Sequence, residues 1–198
     1  RGFSFREEAP LDMRMDDRQE LTAAALLRRL APEELAQVLR RYGEEPMAKR
    51  IAKAAGAALA RGEPLETTTQ LAALVERAKG GRRGRIHPAT QTFQALRIAV
   101  NGELEALERA LPAALDLLEP GGRLAVISFH SLEDRMVKQF MTAHEGRMES
   151  LARGGARWSG TLPRARRVAR KPVTPSEEEV RRNPRSRTAK LRVLERMA

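Results

Sequence analysis

The stretch from Glu119 to Arg135 constrains the fold of this 198-residue chain more than any other. It opens with Pro120-Gly121-Gly122, a turn signal, and continues into the apolar run Leu124 to Ile127, which is short, bounded and rich in branched side chains. Such a run predicts a strand buried on both faces and ending near Ser128. Phe129, His130, Ser131 and Asp134 follow, and then Met136, Val137, Phe140 and Met141 recur at helical spacing. Helix, tight turn, buried strand, polar corner and helix in that order predict an α/β fold. Open sheets bind ligands beyond the carboxyl ends of their strands, which makes Phe129, His130 and Ser131 candidates for lining a substrate pocket.

Charge narrows the choice of partner. Thirty-seven Lys and Arg stand against 26 Asp and Glu, a formal +11, with Arg far commoner than Lys. A surplus of that size predicts a polyanionic partner, and guanidinium groups favour bidentate phosphate contacts, so nucleic acid ranks above an anionic membrane. The alternative is a plain solvated basic surface. The absence of cysteine excludes disulfides, thiolate metal sites and cysteine nucleophiles, and suits a reducing cytoplasm. No run of about 18 apolar residues and no signal-peptide core is found, so the chain reads as soluble. It begins at Arg1, inside Arg1-Gly2-Phe3-Ser4-Phe5, as a truncated or processed product would.

Residues 1–19 show no period and read as an irregular connector. From Glu20 the pattern is helical for about sixty residues, with Pro32-Glu33-Glu34 opening one helix, Gly43 closing it, and a Thr67/Gln70 capping box opening another. Four short helices with no strand between them predict a helical subdomain over 20–88, most simply an insertion. Lys79-Gly80-Gly81-Arg82-Arg83-Gly84-Arg85 lacks the preceding strand and the Gly-Lys-Ser/Thr ending of a phosphate-binding loop. Arg82, Arg83 and Arg85 are therefore read as RNA-backbone contacts, against the alternative of a solvated linker. Ala89 to Leu118 is a long helical stretch that Asn101-Gly102 or Pro112 bends or divides. The segment 147–171 carries seven Arg and one Lys against one acid. Within it Trp158, Arg164, Arg166 and Arg167 suit stacking on an unpaired base and gripping phosphates, or else a loop whose Trp158 packs on the core. Ser176 caps a short helix, and Ala189 to Glu195 reads as a terminal strand.

No residue is convincing as a nucleophile. His130, Ser131, Glu133 and Asp134 are neighbours in one turn and cannot converge as a triad, and the three histidines sit at no metal-ligand spacing. His130 either lines a site or caps the following helix; Ser131 with Asp134 also fits an N-cap arrangement. Asp12 and Arg14 either border a pocket or form an internal ion pair.

These residues carry a resemblance. Arg1 to Phe5, Pro10 to Asp16, Thr67-Thr68-Thr69-Gln70-Leu71, His87-Pro88-Ala89-Thr90, Thr92 to Asn101, the Ile127 to Arg135 corner, Pro175 to Glu179, Asn183 to Arg187 and Ala189 to Arg192 together resemble the RsmH (MraW) family of bacterial ribosomal RNA methyltransferases, in the family's order. The resemblance implies a class I, Rossmann-like methyltransferase fold with an inserted helical domain. It also implies S-adenosylmethionine as methyl donor, no metal, and the N4 amine of one cytidine in the decoding region of 16S rRNA as acceptor. In the family the glycine-rich donor loop and the acidic residue holding the donor's ribose precede the point that matches Arg1. No donor-binding role is therefore assigned here, and residues 89–198 read as the later half of the catalytic domain. A homodimer is an open option. The competing readings are a basic RNA-binding module without chemistry and a small-molecule methyltransferase. A sheet without its first strands is also expected to expose an apolar edge and to make the isolated chain poorly stable or self-associating.

Overall fold

A computed structural model describes residues 2–81, 86–150, 155–159 and 163–198. The chain divides into two compact units, Arg1–Glu103 and Leu104–Ala198.

The first unit is helical: α1 (Ala23–Arg29), α2 (Pro32–Gly43), α3 (Ala48–Ala60), α4 (Thr68–Lys79) and α5 (Thr90–Asn101). Local chemistry sets the helix ends. The Thr22 side chain accepts the Ala25 N–H; Pro32 opens α2 with Glu33 and Glu34 in its first turn. Thr67 and Gln70 form a reciprocal capping box on α4, as the spacing predicts. The alanine stripe Ala48, Ala52 and Ala55 lets α3 lie close to its neighbours. A Cβ on Gly43 would stand 2.5 Å from the Gln91 carbonyl oxygen, so α2 meets α5 at a point where no side chain fits. Leu39, Ile51, Leu71, Phe93 and Leu96 share one core.

Residues 2–22 have no helix or strand, yet they are part of this unit. Leu11 and Met13 are fully buried, Leu11 N–H donates to Glu66 O, and the Ala23 and Ala24 N–H groups donate to Asp12 O and Leu11 O. The unit runs past residue 88, where the sequence places a boundary, because Phe93, Ala95, Leu96 and Val100 of α5 enter the same core as Leu39. The long helical stretch divides at Gly102, which takes the left-handed conformation, and Pro112 sits inside the following helix without ending it.

The second unit contains α6 (Glu103–Asp116, its first residue shared with the boundary), β1 (Arg123–Ser128), α7 (Ser131–His144), β2 (Arg147–Ser150), β3 (Ala156–Ser159), β4 (Ala165–Arg167), α8 (Glu177–Arg182) and β5 (Lys190–Arg196). Strands β2 and β3 pair as a hairpin, while β1, β5 and β4 form an antiparallel sheet in that order, with Leu124 opposite Leu194 and Val126 opposite Arg192. Leu111, Leu115, Val137, Met141 and Leu194 make the core, with Leu124 and Val126 packed against it.

Two expectations need correction. The strand after Gly122 is not buried on both faces: Ile127 is 59% exposed, and among the described residues β1 is an edge strand. A four-residue apolar run is compatible with one covered face or two, and here α6 and α7 contribute to a core on one face only. The helix after it is capped by His130, not by Ser131 with Asp134.

Candidate functional site

The corner between β1 and α7 is built by a reciprocal cap. His130, in extended conformation, accepts the Glu133 N–H at Nδ1 (3.3 Å), and Glu133 Oε2 accepts the N–H groups of Phe129 (2.9 Å) and His130 (3.3 Å). Accepting at Nδ1 leaves the ring hydrogen on Nε2. That atom is buried and lies 3.3 Å from Glu133 Oε1 without hydrogen-bond geometry, so it has no hydrogen-bond partner. Burial pushes the Glu133 carboxyl up, but the His130 ring and the two N–H donors outweigh it and hold the group below its ordinary value.

One residue further on, Asp134 is buried and binds Arg192 of β5 (Nε to Oδ1 2.7 Å, Nη2 to Oδ2 3.2 Å) and Lys190 (3.1 Å). The Arg192 guanidinium, against the opposing effect of burial and with help from Lys190, holds its carboxyl below the usual range. The two carboxylates of this corner are thus engaged by the fold itself. Phe129, 54% exposed, and the exposed Ser131 stand at its surface. The corner presents an aromatic face to solvent, and both of its carboxylates accept hydrogen bonds from within the unit.

Asp12 and Arg14 form a bidentate ion pair (2.6 and 2.8 Å), and Arg14 Nη1 donates to the Asp17 and Gln19 carbonyls. The hydrogen-bonded Arg14 side chain, with burial opposing it, holds the Asp12 carboxyl below its ordinary value. Between them Met13 is fully buried at φ +61°, a conformation costly for a side chain of its size. Asn101 clamps that turn, donating to Met13 O and accepting the Met15 N–H. The internal ion pair that the sequence offers for these two residues is present.

The basic positions differ in availability. Arg82, Arg83 and Arg85 lie outside the described residues; Trp158 belongs to β3 opposite Met148, with its side chain outside the description. Arg164 pairs with Asp116 (2.5 Å), Arg166 with Glu195 (2.5 Å) and Arg167 with Glu145 (2.5 Å). The first two arginines are exposed, and such pairs exchange readily for other anions. Lys79 donates to the fully buried Glu45 (2.8 and 3.0 Å) and to Pro88 O. Beside it an open cavity of about 840 Å³ is lined by residues including Arg50, Gly80, Gly81 and His87, whose ring stacks on Phe5 at 4.3 Å.

The sequence profile of the MraW methylase family matches residues 1–197. The chain belongs to the MraW methylase family. Among curated members it is 54% identical over 198 residues to "Ribosomal RNA small subunit methyltransferase H" of Thermomicrobium roseum, covering all of this chain and 60% of that protein. A Dehalococcoides mccartyi protein of the same name is 53% identical over 204 residues, covering 99% of this chain and 55% of its own length, and one from Methylobacillus flagellatus is 53% identical over 199 residues, covering 100% and 62%. The chain therefore spans a little over half the length of the curated relatives it matches. MraW family membership implies a Rossmann-like fold, of which the described residues provide helices and a small three-stranded sheet. Reasoning from the sequence missed Arg192 and Asn101 as site residues, and it weighed Glu133 only as a hydrolase group and not as the partner of His130 in the cap. A glutamate three places after His130 was a legible capping signal, whereas an arginine inside the apolar pattern of β5 carries no local mark of its buried partner.

Proposed function

We propose that this chain is part of an enzyme that methylates the N4 amine of a cytidine in the decoding region of 16S rRNA, with S-adenosylmethionine as donor. The observation that carries this reading is the match over residues 1–197 to the MraW methylase family, together with relatives that bear a small-subunit rRNA methyltransferase name at about half identity. When bound, the donor supplies an electrophilic methyl group. An exocyclic cytosine amine is a weak nucleophile, so the protein must align it and keep water away. In this reading the helical unit, Arg1–Glu103, grips RNA and the second unit, Leu104–Ala198, is the later part of the catalytic domain. The exposed Phe129 offers a flat face to a splayed-out base, and His130 holds the turn that presents it. The arginines at 82, 83, 85, 164 and 166 supply phosphate contacts.

A second reading, an RNA-binding module without chemistry of its own, is favoured by one observation: Glu133 and Asp134 are both occupied internally. Two measurements separate the readings. Transfer of labelled methyl from S-adenosylmethionine to 16S rRNA by the full-length protein, with the product nucleoside identified by mass spectrometry, is expected to give N4-methylcytidine. Methyl on any other atom, or none, rejects the first reading. Calorimetry of S-adenosylmethionine against the 198-residue chain then reports whether these residues alone hold the donor.

A further inference from the structure

The first unit carries cations where its own electrostatics does not favour them. Helix α3 has Lys49 and Arg50 in its first turn and Lys53 one turn later, with no acid in that turn, although the positive end of a helix dipole disfavours cations. The acid nearest in sequence, Glu45, accepts the Met47 N–H but is already bound to Lys79. Arg40, Lys49, Arg50 and Lys53 are all exposed, and none forms an ion pair among the described residues. Three other arginines of the unit are paired, Arg18 with Asp16, Arg28 with Glu66 and Arg61 with Glu63, whereas Arg29, Arg41 and Arg77 are exposed and share with the α3 cations the lack of an ion pair among the described residues. Arg40, Lys49 and Lys53 line a groove of about 640 Å³ between α2 and α3, in which Glu33 is the acid among the lining residues. Arg50, on the same helix, lines the cavity that also includes Gly80, Gly81 and His87.

We infer that these four cations form one band, running from the α2–α3 groove to the cavity beside Gly80, that docks the phosphate backbone of an RNA strand or helix. Their mutual repulsion and their clash with the α3 dipole are relieved when phosphates occupy the band. A structural role predicts the opposite, since removing the cations from the free protein should then weaken the fold. This inference rests on the RNA reading above and names the surface that serves it.

The test compares two triple variants of the full-length protein that remove the same charge: Arg40→Gln/Lys49→Gln/Lys53→Gln, and the control Arg18→Gln/Arg28→Gln/Arg61→Gln. Each is titrated with a labelled small-subunit rRNA fragment across a salt series. Loss of three phosphate contacts should lower the slope of log affinity against log salt by about 2–3 and weaken binding about tenfold or more at moderate salt, with the control close to the unaltered protein. The thermal midpoint of the band variant should be unchanged or raised. Equal binding by the band variant, or equal loss by the control, overturns the band while leaving the RNA reading intact. If the unaltered protein fails to hold the rRNA fragment but binds vesicles of anionic phospholipid, both are overturned. A further Arg50→Gln change in the band variant should lower the slope by about one more; no additional change removes Arg50 from the band.

Discussion

His130 and Glu133 hold one another at the mouth of α7, and the consequences are measurable one side chain at a time. Glu133→Ala removes the acceptor for the Phe129 and His130 N–H groups and should cost about 1–2 kcal/mol in denaturant unfolding. Asp134→Asn leaves Arg192 charged and buried without its counterion, and a loss of about 3–5 kcal/mol is expected. The acid limb of stability follows from the same groups. Glu133 and Asp134 titrate in the folded protein below their ordinary values of 4.5 and 3.8. Their stabilisation is therefore complete above those values and is lost as pH falls through the lowered ones. Hydrogen exchange of the β1 and β5 amides should report a transition at low pH in the second unit, and the acid sensitivity should shrink in Asp134→Asn.

Elements in this chain are held by features of very different visibility. The ends of α2 and α4, the split at Gly102 and the Ser176 cap of α8 could be read from the sequence because each depends on residues within one turn. The burial of Leu11 and Met13 could not, because their partners Glu66 and Asn101 are distant in the chain. Nor could the exposed face of β1, since Leu124 to Ile127 reads the same whichever neighbours cover it. At the site, capping by His130 was one of two legible outcomes, while the Asp134–Arg192 pair depends on strand register and was not legible. One element bears a direct test. Lys79 closes α4 over the buried Glu45, and Lys79→Met should destabilise the helical unit by about 3–5 kcal/mol, seen as a lowered midpoint in far-ultraviolet circular dichroism.

At the scale of the whole molecule each unit has a core of its own: one holds Leu39, Ile51 and Leu96, the other Leu115, Met141 and Leu194. Unfolding by urea should accordingly depart from a single two-state transition, with hydrogen exchange of the β1 and β5 amides and helical dichroism giving different midpoints. Coincident curves would show the units to be coupled. Among the described residues no helix is long and apolar enough to cross a membrane. The second unit is also the one with an open sheet edge among the described residues. Among the described residues strand β1 is bonded to β5 alone, and Ile127 projects from it into solvent, so one margin of the sheet displays a row of amide and carbonyl groups able to recruit any extended peptide it meets. Concentrated samples of the 198-residue chain should scatter light increasingly with time, and a lysine in place of Ile127 should slow that growth by setting like charges against each other wherever two such margins approach.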